Sequence, residues 1–104
     1  YLQALTVYRQ ISQGADSVDI ANTLNNLAIN YRHMEQYNKA EDHYLQALSV
    51  YRQISHGADS VDIADTLYNL ANNYAAAGDQ IKSTEVWRQA LDIYMKYEKY
   101  GDKP

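Results

Sequence analysis

Apolar residues recur along this chain with the spacing of an α-helix. Between Val18 and His33 they fall at Ile20, Leu24, Leu27, Ala28 and Tyr31, which places them on one helical face. The next stretch carries Tyr37, Ala40, Tyr44, Ala47, Leu48, Tyr51 and Ile54 at the same kind of spacing. The pattern then returns as Ile63, Leu67, Leu70, Ala71 and Tyr74, followed by Trp87, Ala90, Leu91 and Tyr94. No β-branched alternation interrupts it, so no strand is predicted. The glycines Gly14, Gly57, Gly78 and Gly101 stand where the periodic pattern stops, as residues that take a positive φ past a helix end should. Asp16 and Asp59 suit N-caps, and Asp19 and Asp62, three residues on, favour the positive end of the helix dipole. The map is about five helices, over 1–13, 17–33, 37–55, 60–76 and 80–99.

The polar and apolar positions repeat together. Residues 1–43 recur as 44–86, with 26 of the first 31 positions identical, and Trp87 opens a third copy. A fixed period of this length marks stacked units that bury their apolar faces only against their neighbours. The chain divides into a half repeat, 1–16, and two repeats, 17–59 and 60–104. It lacks an initial Met and opens inside a repeat, so it reads as an excerpt from a longer chain.

The string Leu24-Asn25-Asn26-Leu27-Ala28-x-x-Tyr31, followed by Tyr37-x-x-Ala40-x-x-x-Tyr44-x-x-Ala47-Leu48, resembles the tetratricopeptide repeat. The second copy matches at Leu67, Leu70, Ala71, Tyr74, Gly78, Trp87, Ala90 and Leu91, and departs at Gln80 and Ser83. The Leu-Asn-Asn-Leu-Ala wording and the long period are similar to the repeats of kinesin light chains and nephrocystin. The resemblance implies an all-α, right-handed solenoid of antiparallel helix pairs that acts as a protein interaction scaffold. Physically, Ala28, Ala40 and Ala47 are small where helices approach closely, and Tyr31, Tyr44 and Leu48 fill the space around them.

The differences between copies carry the functional argument. Over the first helix of each repeat they disagree at Asn22/Asp65, Asn25/Tyr68, Ile29/Asn72, Arg32/Ala75 and His33/Ala76. At 100° per residue these positions span an arc of about 100°. Packing demands are alike from repeat to repeat and ligand demands are not, so one diverged stripe points to a binding surface. The resemblance implies that this stripe lines the concave groove. Asn26 and Asn69 border it, and in resembling repeats such asparagines hold a peptide main chain. The candidate partner-binding residues are therefore Asn22, Asn25, Asn26, Ile29, Arg32, His33, Asp65, Tyr68, Asn69 and Asn72. Asparagines bond a peptide backbone in both directions, and Tyr68 offers contact area at low entropy cost. Competing readings are a merely solvated stripe and, for Asn26 and Asn69, a bond to a neighbouring helix. Asn30 and Asn73 face away and read as structural. A second diverged stretch, 32–43 against 75–86, retains only Lys39 and Lys82 and reads as a relaxed surface turn.

Composition narrows the partner. A net charge of -4 argues against nucleic acid, and the abundant Tyr residues read as amphipathic packing rather than a base-stacking platform. No basic helix suits a membrane surface and no apolar run spans a bilayer. With no cysteine there is neither a disulfide nor a thiolate metal site, which fits a cytoplasmic setting. His33, His43 and His56 lack metal-ligand spacing, no phosphate loop or nucleophile elbow occurs, and the recurring Asp pairs read as caps. The expectation is a non-enzyme with no metal or cofactor. The basic carboxylate clamp of chaperone-binding relatives is missing too, since Asn25, Ile29, Tyr68 and Asn72 stand at the clamp positions. Three readings follow: a peptide-groove adaptor, a structural spacer that self-assembles into a homo-oligomer through uncapped ends, and a sensor or effector module whose output domain lies outside this sequence.

Overall fold

A computed structural model describes residues 17–100 of the chain. Over these residues the protein is helical throughout, with no strand: α1 Ser17–His33, α2 Tyr37–Ile54, α3 Val61–Ala76 and α4 Gln80–Tyr100. Each lies within one residue of its predicted bounds. The helix expected over 1–13 lies outside the described residues.

The turns follow from backbone chemistry. After α1 the chain closes a Schellman motif, with Gln36 N–H donating to Tyr31 O at 2.8 Å and Glu35 N–H to Arg32 O at 2.9 Å. The motif holds Glu35 at φ 60. After α3 the same two bonds recur, from Asp79 to Tyr74 O and from Gly78 to Ala75 O, with Gly78 at φ 91. The end of α2 differs from expectation. There His56, at φ 54, takes the left-handed place ahead of Gly57, at φ 83.

The start of α3 is a correction. Its cap is Ser60, whose Oγ accepts from Ile63 N–H at 3.2 Å, and not Asp59. Asp59 instead ties α4 down: its carboxylate accepts from Lys96 Nζ at 2.6 Å and its carbonyl from Tyr97 OH at 2.9 Å. A hydroxyl fits the one-residue cap, which frees the charged side chain for the long reach. Asp16, the matching residue of the first copy, lies outside the described residues.

The helices pack as two antiparallel pairs. Tyr51, near the end of α2, donates to Asn22 near the start of α1, while Tyr31 and His43 meet at the other end with ring centroids 5.0 Å apart. Between pairs, Asn73 Nδ2 of α3 donates to the carbonyl of Tyr37 on α2 at 3.0 Å, and Tyr74 OH donates to Glu41 Oε2 at 2.5 Å. Ala28, Ala40 and Ala47 are fully buried, as close helix approach requires, and Leu24, Leu27, Leu48, Ile63, Leu67 and Leu70 close around them. Burying one such Leu contributes about 1.5–3 kcal/mol. Ala21, Ala64 and Ile93 join this core without having been singled out by the periodicity.

Candidate functional site

The stripe that diverges between copies runs down one side of α1 and α3. Along α1, Asn22, Asn26 and His33 are exposed, and Asn25, Ile29 and Arg32 are half-buried. Along α3, Asp65 and Tyr68 are exposed, and Asn69 and Asn72 are half-buried. All ten candidates thus keep accessible surface. What each side chain does next to its neighbours separates them into groups.

Asn22 and Asp65 are already engaged. Each accepts the hydroxyl of a tyrosine 29 residues on, Tyr51 for Asn22 and Tyr94 for Asp65. The pair recurs in both repeats with the amide exchanged for a carboxylate, so at this position the divergence is compatible with an internal role. Burial raises the pKa of Tyr51, and the carboxylates of Asp62 and Asp65 push the same way. Tyr94 rises through desolvation first and then through its bond to Asp65.

The side chains of Asn26 and Asn69 make no hydrogen bond to any described residue. The tie between neighbouring helices is made by Asn73, which is 1% exposed and holds the Tyr37 carbonyl. Asn30, its counterpart on α1, is exposed. Tyr68 is 44% exposed and leans on Trp87, with ring centroids 5.3 Å apart and planes at 57°. Ile29 packs its inner side against the core and shows the rest to solvent.

Asn25 departs from a freely exposed residue. Its Oδ1 is buried without a partner, as are Arg32 Nε and His43 Nε2 of the same repeat and Asn73 Oδ1 of the next, and the Tyr44 hydroxyl on α2 is buried beside the Arg32 guanidinium. Burial pushes the Tyr44 phenol up, and the adjacent Arg32 guanidinium pulls it back in part. Tyr44 was legible in the sequence only as a packing residue.

Lys39 and Lys82 were missed as well. Each holds its ammonium over a tyrosine ring of the preceding helix, Lys39 at 5.7 Å from the Tyr31 centroid and Lys82 at 5.6 Å from that of Tyr74. The signal was present, because these were the only matching residues in an otherwise diverged stretch. A shallow depression of about 460 Å³ over the α1–α2 turn, between Glu35, Lys39 and Ala77, gathers no set of groups arranged for chemistry. Among the described residues no three His, Cys, Asp or Glu side chains come together to hold a metal ion, and no helix is long and apolar enough to cross a membrane.

Two paired helix units, with a recurring small-residue seam and a recurring inter-helix tyrosine, match what comparison with known families finds. The tetratricopeptide repeat pattern matches residues 1–53 and 19–96. The chain belongs to the tetratricopeptide repeat family. Comparison with curated proteins finds none that matches it. Tetratricopeptide repeats generally serve as protein–protein interaction modules rather than as enzymes. In this tetratricopeptide chain, the accessible polar side chains without internal partners are what a protein ligand would meet first.

Proposed function

We propose that this repeat pair recognises an extended peptide segment, without catalysis, along the face formed by α1 and α3. The reading rests on one observation above the others: the side chains of Asn26 and Asn69, identical in both repeats, make no hydrogen bond to another described residue. Asn26 is exposed and Asn69 half-buried, so neither belongs to the buried core. Two carboxamides at equal places in successive repeats instead offer donors and acceptors to a peptide main chain. Asn25, Ile29, Arg32 and His33 extend the surface on α1, and Tyr68 and Asn72 extend it on α3. The long-repeat wording similar to kinesin light chains supports an adaptor of that kind.

A displayed random-peptide library panned on the chain tests this directly. The native chain should enrich peptides, and the Asn26→Ala/Asn69→Ala double variant should bind them about tenfold or more weakly, each lost bond being worth about 1 kcal/mol. Its circular dichroism should be unchanged. Enrichment that the double variant retains in full would remove the face from the proposal.

The end of the described fold supports a second reading. Trp87 and Leu91 are 39% and 41% exposed, whereas Tyr44 and Leu48, one period earlier, are covered by α3. We propose that copies of this chain associate through α4 at high concentration, which buries that apolar face. Sedimentation across a concentration series checks it, and a monomer throughout would refute it.

A further inference from the structure

Three of the five differences between α1 and α3 change the same property. Asn22 becomes Asp65, which adds a negative charge; Asn25 becomes Tyr68, which adds an aromatic face; Arg32 becomes Ala75, which removes a cation. These positions are spaced 3 and 7 residues apart, so they share one side of the helix. In the first repeat the Arg32 guanidinium lies beside the hydroxyl of Tyr44 on α2. That repeat therefore carries its own cation against the aromatic residue of its second helix. The second repeat has Trp87 in the place of Tyr44, with Tyr68 leaning on it, and α3 holds neither Lys nor Arg. Of the described cations on α4, Lys82 stands over Tyr74 and Lys96 bonds Asp59 at 2.6 Å. Arg88 leaves the helix about 100° round from Trp87.

The corner is open to solvent and lies in a negative field. Tyr68, Trp87 and Leu91 are 44%, 39% and 41% exposed, and Asp65 is exposed as well. Asp65 accepts the Tyr94 hydroxyl with one carboxylate oxygen and keeps the other for a second donor. It stands three residues before Tyr68, a spacing that brings side chains on a helix to about 5–6 Å between Cβ atoms. Asp62, one turn earlier still, acts with Asp65 on the Tyr51 phenol, so both charges bear on the same end of α3. A cation here gains from an aromatic face and a carboxylate together, whereas an anion gains from neither. Leu91 offers an apolar bed for a methylene stem.

We propose that Asp65, Tyr68 and Trp87 form a subsite for a basic side chain, Arg or Lys, of the bound peptide. The inference rests on the peptide-recognition reading given above and adds the chemistry of one ligand residue. The cationic head lies against the Tyr68–Trp87 rings within reach of the second Asp65 oxygen, and its stem runs over Leu91. The first repeat offers no such place, because Arg32 already puts a positive charge there. The peptide is therefore held in one register, with its basic residue over the second repeat.

The displayed random-peptide library, panned on the native chain at a concentration where it sediments as a monomer, should enrich peptides that carry Arg or Lys. Two substitutions borrow residues that the first repeat already accommodates. Asp65→Asn keeps an acceptor for Tyr94, as Asn22 does for Tyr51, and Ala75→Arg supplies the missing cation. The double variant should bind the enriched basic peptides about tenfold more weakly with unchanged circular dichroism, and should show no basic preference when panned itself. Tyr68→Asn, a first-repeat residue too, is an independent variant and should weaken binding about fivefold. Trp87 is the only tryptophan of the chain, so its emission should change when an enriched peptide binds. Enriched peptides with an acidic preference, or with none, would overturn the subsite and leave the groove reading standing. A basic preference that survives in these variants, or Trp87 emission that stays constant as a basic peptide binds, would overturn it too. No enrichment by the native chain would overturn the groove reading itself, and the subsite with it.

Discussion

Tyr44 and Trp87 occupy the same place in successive repeats, as do Leu48 and Leu91, yet the first of each pair is buried and the second is open. Exposure goes from 0% to 39% and from 3% to 41% across a single period. The helices carrying them are both well formed, and the helix each pairs with in its own repeat is nearly the same. The difference lies in α3, which packs over α2, while no described helix packs over α4 in the same way. Burial in a stacked-repeat protein is thus a property of the neighbour as much as of the residue. The comparison also separates what a repeat needs from what a ligand needs, because a position can be identical in sequence and still differ in energy.

The largest expected effect follows from that pair. Leu48→Ala should cost about 2–5 kcal/mol of stability through lost burial and a cavity, measured by urea denaturation. Leu91→Ala should cost less, about 1–2 kcal/mol, since Leu91 is 41% exposed and its loss leaves no enclosed cavity. Equal losses would mean that α4 is covered in solution, and a dependence on protein concentration would identify the cover as a second copy.

Next in size comes the seam between the repeats. Asn73→Ala removes a 1%-exposed side chain and its bond to the Tyr37 carbonyl across the seam, at a cost of about 1–3 kcal/mol. Asn30→Ala changes an exposed side chain and should stay within about 0.5 kcal/mol. Thermal melts of the two variants compare them directly. If they lose the same stability, the Asn73 bond is not what fastens α3 to α2.

The turns after α1 and α3 offer a smaller contrast. Both close with the same pair of backbone bonds, but one places Glu35 and the other Gly78 in the left-handed region. A side chain there costs about 1 kcal/mol. A Cβ at Gly78 would meet no atom within 4 Å, so the cost is one of backbone conformation alone. Glu35→Gly should raise stability by up to about 1 kcal/mol, and Gly78→Ala should lower it by a similar amount. Opposite shifts in melting temperature confirm that the two turns are equivalent, whereas two losses would show that Glu35 has gained a compensating role.

Most of the helical layout was legible because hydrophobic spacing and turn chemistry agree along this chain. Leu24, Leu27 and Tyr31 mark a face, and Gly78 marks an end, so the bounds of α1 to α4 follow within a residue. Cap identity was harder to read: Ser60 and Asp59 are both good caps, and only the reach of Lys96 and Tyr97 toward Asp59 decides between them. His56 gave no sign of its left-handed backbone, since the glycine beside it seemed sufficient for the turn. The candidate face was legible as a stripe of differences, but difference alone does not tell an internal bond from a ligand contact. Asn22 and Asp65 differ and yet both hold a tyrosine, while the side chains of Asn26 and Asn69 agree and bond no described residue. Pairings between residues about 29 to 36 apart decide this, and they depend on how helices are placed rather than on periodicity within one helix.

The smallest effect concerns the turn that diverges most. Around Lys39 and Lys82 nearly every residue has changed between copies, which is what a surface turn free of constraint should show. The two lysines stayed, and each stands over the ring of a tyrosine that also stayed, Tyr31 or Tyr74. A cation near an aromatic face at an exposed site contributes about 0.5–1 kcal/mol, comparable to a good surface pair and enough to fix the angle at which α2 or α4 leaves the turn. Lys39→Gln and Lys82→Gln should each lower stability by about that amount, and Lys→Arg at either place should restore it. The two effects need not be equal. Tyr74 is also anchored by its bond to Glu41, whereas Tyr31 meets the His43 ring, so Lys39 has the less constrained ring to hold. A double-mutant cycle of Lys39→Gln with Tyr31→Leu measures the coupling. A coupling energy near zero would return both lysines to the status of ordinary surface charges.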